Sequence, residues 1–127
     1  MHEQILLVDD EPQMRMLLKD ILMVAGYRIA GEAGDGTEAI DKYEELQPDL
    51  VLMDVLMPKL NGLQAAKLLL ETHPQAIIVM LTALQKKEVV VQALKFGVAG
   101  FVVKPFISHK LLSAIKKALE GKEEKEE

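Results

Sequence analysis

The sequence predicts an α/β fold, a doubly wound parallel sheet, from three observations. Five strand-like runs, Ile5 to Val8, Tyr27 to Ala33, Leu50 to Met53, Ala76 to Leu81 and Phe101 to Val103, start 22 to 26 residues apart. Between them the apolar spacing changes to the period of an amphipathic helix, and Gly or Pro stands at the changeovers. A strict strand-helix alternation, five times over, requires parallel strands joined by right-handed crossovers, with helices on both faces.

Each element has its own signal. Four of the runs are continuous and rich in Val, Ile and Leu, as expected of strands covered on both faces. The second, Tyr27-Arg-Ile-Ala-Gly-Glu-Ala33, alternates and suits an edge strand. After the first run, Met14, Leu17, Leu18, Ile21, Leu22 and Ala25 form one apolar stripe, with Arg15, Lys19 and Asp20 facing away. Pro12 is tolerated as a first helical residue, and Gly26 is placed as a C-terminal cap. The second helix, Thr37 to Leu46, ends before Gln47-Pro48; the third, Leu63 to Thr72, ends before His73-Pro74; the fourth closes through Ala93-Leu94 at Gly97. Val89-Val90-Val91 is β-branched, yet its flanks, Lys-Lys-Glu and Gln-Ala-Leu-Lys, favour that fourth helix. The fifth carries Leu111, Leu112, Ile115 and Leu119 on its buried side.

Composition bounds the function. The 127 residues fit one domain, expected as residues 1–119 with an acidic tail at 120–127. The chain has no cysteine, which excludes disulfides, thiolate chemistry and iron-sulfur clusters. No apolar run approaches the roughly 20 residues of a membrane span, and no signal peptide is expected, so the sequence reads as soluble and cytoplasmic. Net charge is −5 and unevenly spread. Residues 1–84 hold 6 basic and 14 acidic groups, residues 85–119 hold 7 lysines and only Glu88, and residues 120–127 hold 5 Glu and 2 Lys. The basic block favours an acidic partner, for which the tail would compete. Nucleic-acid binding is disfavoured by the overall charge and by 4% aromatics.

In an open parallel sheet the chemistry gathers at the carboxyl ends of the strands. Those ends carry Asp9-Asp10, Asp54, Thr82 and Lys104-Pro105. Singly, each has a structural explanation: Asp10 or Thr82 as a helix cap, Asp54 as a turn former, Lys104 as a solvated lysine. Jointly, three carboxylates, a hydroxyl and an ammonium on one rim suggest a site. Carboxylates held close demand a cation, and an all-oxygen donor set selects Mg²⁺, with Mn²⁺ able to replace it, over zinc. The histidines His2, His73 and His109 read as ordinary surface residues. A hard cation and a lysine beside a carboxylate suit phosphoryl transfer, with Asp54 the better nucleophile because Asp9 and Asp10 can share the metal. The product would be an aspartyl phosphate.

Four motifs then resemble a known family. Ile5-Leu-Leu-Val-Asp9-Asp10-Glu, Asp49-Leu-Val-Leu-Met-Asp54-Val-Leu56-Met-Pro-Lys-Leu-Asn-Gly62, Met80-Leu-Thr82-Ala and Gly100-Phe101-Val-Val-Lys104-Pro105-Phe are similar to the receiver domain of two-component response regulators. Gly31-Glu-Ala-Gly-Asp-Gly-Thr-Glu-Ala-Ile40 resembles the single-domain, chemotaxis (CheY-like) type. The resemblance implies the flavodoxin-like strand order 2-1-3-4-5. It implies phosphotransfer to Asp54 from the phosphohistidine of a sensor histidine kinase or a histidine phosphotransfer domain. Asp10, Asp54 and the Leu56 backbone carbonyl would ligate Mg²⁺, Asp9 would act through water, and Lys104 would pair with the phosphoryl group. Thr82 and Phe101 would switch together, changing the face of the fourth helix, fifth strand and fifth helix for a downstream target protein. The Lys104-Pro105 bond would be cis, and the chain a monomer.

Leu56 and Leu84 depart from the polar residues often found at those positions, and are expected to shield the phosphoryl group from water. Phe101 lacks the phenol hydroxyl of many homologues. The alternatives are a phosphorelay intermediate, the receiver part of a larger regulator, and a phosphatase of similar fold. A haloacid-dehalogenase-like phosphatase would need Asp-x-Asp on the first strand, which adjacent Asp9-Asp10 does not match. A dinucleotide site there would need a glycine-rich loop, where the chain has Asp-Asp-Glu-Pro.

Overall fold

The structure, a computed structural model, describes residues 2–57, 59–83 and 87–126, the last five by backbone alone. Leu84 lies outside the described residues. Strands and helices alternate as β1 (Gln4–Val8), α1 (Pro12–Val24), β2 (Arg28–Ala33), α2 (Gly36–Leu46), β3 (Leu50–Asp54), α3 (Gly62–Thr72), β4 (Ile78–Thr82), α4 (Lys87–Lys95), β5 (Gly100–Val103) and α5 (Ser108–Glu126). All pairings are parallel, in the order β2-β1-β3-β4-β5. This is the expected flavodoxin-like fold. Among the described residues no helix is long and apolar enough to cross a membrane.

The continuous runs fill both faces of the central strands. β1, β3 and β4 are buried almost throughout and divide their side chains between two cores. Leu6, Val8, Val51, Met53, Ile78 and Met80 pack on the α2–α3 side, whereas Ile5, Leu7, Leu50, Leu52, Val79 and Leu81 pack with Leu18 and Leu22 of α1 and Leu111 and Ile115 of α5. At about 25 cal/mol per Å² of apolar surface removed from water, these side chains supply most of the force that assembles the layers.

Capping follows the local chemistry. Asp35 accepts from the Glu38 amide at 2.8 Å and starts α2. Asn61 and Gln64 form a reciprocal capping box that starts α3. Gly26 and Gly97 take the left-handed backbone at φ 98° and 105°, just past α1 and α4, as residues without Cβ can.

The structure corrects several details. β5 is the second edge strand, as the order 2-1-3-4-5 requires, and its Phe101 is half-buried and Val103 exposed although its apolar run reads as covered on both faces. The stripe of α1 is narrower than its spacing suggests: Leu18 and Leu22 are buried, but Leu17 is 49% exposed and Ala25 lies outside the helix. Arg15 and Lys19 do not face away into solvent; both reach Glu32 of β2. His73 is not a plain surface residue. Its ring lies 5.0 Å from that of Tyr43, with Nε2 3.8 Å from Glu44. The α5 backbone stays helical through the acidic segment that begins at Glu120.

Candidate functional site

Register alone brings the polar residues together. Val8 pairs with Met53 and Asp54 with Leu81, so β1 and β3 run out side by side into Asp9 and Asp54. Thr82 pairs with Val103, and the Lys104 amide donates to the Thr82 carbonyl at 2.8 Å. Asp9, Asp54, Thr82 and Lys104 therefore share the carboxyl rim of four adjacent strands.

The side chains meet there. Lys104 Nζ lies 3.1 Å from Asp9 Oδ2 and 3.2 Å from Asp54 Oδ2. Its side chain is 14% exposed, those of Asp9 and Asp54 only 1% and 8%, and Thr82 is buried. Asp10 is exposed, yet Asp9, Asp10 and Asp54 each offer an oxygen within 4.8 Å of the others. These are hard oxygen donors in a small space, a set that suits a divalent cation. The Leu56 amide donates to Asp54 Oδ1 at 3.3 Å, while its side chain is 54% exposed at the rim. The Lys104-Pro105 bond is cis.

The geometry goes beyond the single-residue explanations, although the Leu56 amide on Asp54 Oδ1 is also the contact of a turn former. Glu11, not Asp10, is the N-cap of α1; Asp9 accepts from the Glu11 amide at 2.9 Å; and Lys104 is held by two carboxylates.

Electrostatics follow from burial. Desolvation raises the Asp54 pKa above 3.8, with the Asp9 charge adding to the rise, while Lys104 and the Leu56 amide work against it. Burial alone would lower the Lys104 pKa, but the hydrogen bond to Asp9 and the charges of Asp54 and Asp9 outweigh it, and the ammonium is held above 10.5. The cluster thus has more carboxylate than one ammonium neutralises.

Two features of the site were not read from the sequence. Arg15 donates through Nη1 to the Asp9 backbone carbonyl and through Nε to Glu32 at 3.0 Å. Gly62 lies against the end of β3: its amide donates to the Val55 carbonyl at 2.8 Å, and an added Cβ would collide with the Asp54 carbonyl. Arg15 joins three elements, so no local spacing announces it. Gly62 closes the motif around Asp54, and the sequence alone does not show what it packs against.

A doubly wound α/β domain with an acidic cluster and a lysine at its carboxyl rim belongs to a class that handles phosphoryl groups. The chain is a member of the response regulator receiver domain family, which it matches over residues 5–116. It is a phosphoacceptor response regulator. The chemotaxis protein CheY of Thermotoga maritima is 44% identical over 117 residues, which are 92% of this chain and 98% of that protein. CheY of Bacillus subtilis is 42% identical, over 94% of this chain and 99% of its own. The CheX-CheY-BeF3-Mg²⁺ complex from Borrelia burgdorferi contains a chain 32% identical, at TM-score 0.87, over 89% of this chain and 86% of that one.

Proposed function

We propose that Asp54 is the residue that takes the phosphoryl group, within a receiver unit of residues 1–119 that acts in chemotaxis signalling in the cytoplasm, as a monomer. The observation that carries this reading is the contact of Lys104 with both Asp9 and Asp54, beside Asp10. An Asp54 carboxylate oxygen attacks the phosphorus of a phosphohistidine on a sensor kinase or histidine phosphotransfer domain. A P–O bond forms, the P–N bond breaks, and the imidazole leaves with the electron pair. Lys104 swings its ammonium from the two carboxylates to the phosphoryl oxygens, and the Thr82 hydroxyl donates to another of them.

Asp10, Asp54 and the Leu56 carbonyl would hold Mg²⁺, or Mn²⁺ in its place, with Asp9 one water further out. The cation, when bound, offsets the charge on the transferring group. The oxygen-only donors and their mutual closeness fit it. The chain itself catalyses nothing beyond its own phosphorylation and dephosphorylation.

The output reading rests on the surface of α4, β5 and α5. Val91, Leu94, Val103 and Ile107 are exposed there among Lys87, Lys95 and Lys110. A cavity of about 430 Å³ opens beside Phe101, Lys104, Pro105 and Lys110. Apolar knobs ringed by lysines suit an acidic, amphipathic partner segment. Movement of Phe101 with Thr82 would reshape this surface. Incubation with Mg²⁺ and acetyl phosphate, followed by intact mass measurement, tests the reading. One added phosphoryl group on the parent and none on Asp54→Ala is expected; equal gain on both would reject Asp54 as the acceptor.

A further inference from the structure

We infer that Arg15 is a positioning residue for the carboxylate cluster, acting through the Asp9 backbone carbonyl and aimed by Glu32. The inference rests on the reading of Asp9, Asp10 and Asp54 as the holders of a divalent cation.

Asp10 follows the end of β1 and is exposed, so no sheet neighbour fixes its side chain. What sets its direction is the peptide that joins it to Asp9. The rest of Asp9 is anchored elsewhere: its amide donates to Ala33 at 3.0 Å, Oδ1 accepts from the Glu11 amide at 2.9 Å, and Oδ2 accepts from Lys104 at 3.1 Å. The carbonyl of that peptide accepts from Arg15 Nη1. Arg15 therefore grips the peptide plane that leads into Asp10, while the peptide that leaves it is held through the Glu11 amide by Asp9 Oδ1.

The guanidinium is itself fixed. Its Nε donates to Glu32 Oε1 at 3.0 Å, and the other Glu32 oxygen lies 2.7 Å from Lys19. Two partners on one planar fork leave it little freedom to rotate, which a lysine could not reproduce. The hydrogen bond from Lys19, with help from Arg15 and against burial, holds the Glu32 carboxyl below the usual range, so it is ionised at neutral pH. Its single charge is shared between Arg15 and Lys19, so the guanidinium still repels an incoming metal and any gain from it must come from orientation. What Arg15 supplies is direction rather than charge.

The sign of one measurement separates these roles. Loss of a positive charge beside an acidic site, with nothing else changed, tightens Mg²⁺ binding. Loss of a group that orients a ligand weakens it, by about tenfold or more for groups directly behind metal ligands. Calorimetric Mg²⁺ titration of the full chain at pH 7.5 is expected to give Arg15→Met a Kd about tenfold above the parent. Arg15→Lys, which keeps the charge but not the fork, should raise Kd at least about threefold, and carries the test if Arg15→Met does not fold in EDTA by circular dichroism. An unchanged or lowered Kd in the folded variants would overturn the inference, even if their melting points fell, because that is the behaviour of a structural or purely electrostatic residue. A parent that takes no Mg²⁺ would instead refute the reading of the cluster, and this inference with it.

Discussion

Replacing Lys104 with Met removes the ammonium from between two buried carboxylates and leaves the chain's shape nearly unchanged. At 3.1 and 3.2 Å, each ammonium-carboxylate pair attracts by about 5 kcal/mol at an effective dielectric of about 20. Most of this is returned, because the ammonium no longer has to leave water, and a net loss of about 3 kcal/mol remains, as for other buried pairs broken on one side. For 127 residues, with an unfolding entropy of about 2.1 cal/mol/K per residue, that lowers the melting point by about 11 °C. The Lys104 pKa is raised in the fold, so its stabilisation is fully present at neutral pH and is lost only as pH climbs through the lysine range. The Asp54 pKa is also raised, so acidification protonates that carboxyl and removes one of the two uncompensated charges. Thermal unfolding of Lys104→Met and parent in EDTA should therefore show a large gap at pH 7.5 that narrows as pH falls. Equal melting points at pH 7.5, or a gap that widens with acid, would refute the electrostatic account of the rim.

Asp54→Asn should act in the opposite direction: without divalent cation at pH 7.5 it stabilises by about 1 kcal/mol, because a buried charge that repels Asp9 is gone. A folded-state pKa raised above the unfolded one makes ionised Asp54 a cost, so this gain fades as pH falls through the Asp54 range; unfolding curves across pH check it. Leu56 is exposed beside Asp54, and Leu56→Asn, alone or with Leu84→Glu, should shorten the phosphorylated lifetime about tenfold, equivalent to about 1.4 kcal/mol in the barrier. Loss of labelled phosphate over time measures this, and an unchanged rate would reject the shielding role. Gly62→Ala places a methyl against the Asp54 carbonyl and should cost about 3 kcal/mol in urea unfolding, because backbone and not a flexible side chain must give way.

Much of this was legible in the chain because it depends on short-range pattern. Continuous Val-Ile-Leu runs announce buried strands, and the rule that chemistry gathers at strand carboxyl ends picks out Asp9, Asp54, Thr82 and Lys104 without any family resemblance. Register then did what the rule assumes. Spacing failed where a side chain's fate is decided by another element. Leu17 obeys the helical period of α1 but finds no partner layer, and is left half in water. Arg15 and Lys19 stand where a solvated face is expected, yet β2 puts Glu32 within their reach. The alternation that marked β2 as partly wet had placed Glu32 on that side, and a glutamate on an edge strand facing two lysine- or arginine-type residues of the preceding helix was the available signal. β5 kept the composition of a central strand and became an edge through topology alone.

The central claim is that the phosphoryl group arrives on Asp54. The most direct measurement is to phosphorylate the full chain with a phosphohistidine donor in Mg²⁺, trap the acyl phosphate by borohydride reduction, and locate the modified residue by peptide mass spectrometry. The account predicts that residue 54 alone is converted from aspartate to homoserine. Conversion at Asp9 or Asp10, or a phosphoryl group on a residue that borohydride does not reduce, would contradict it.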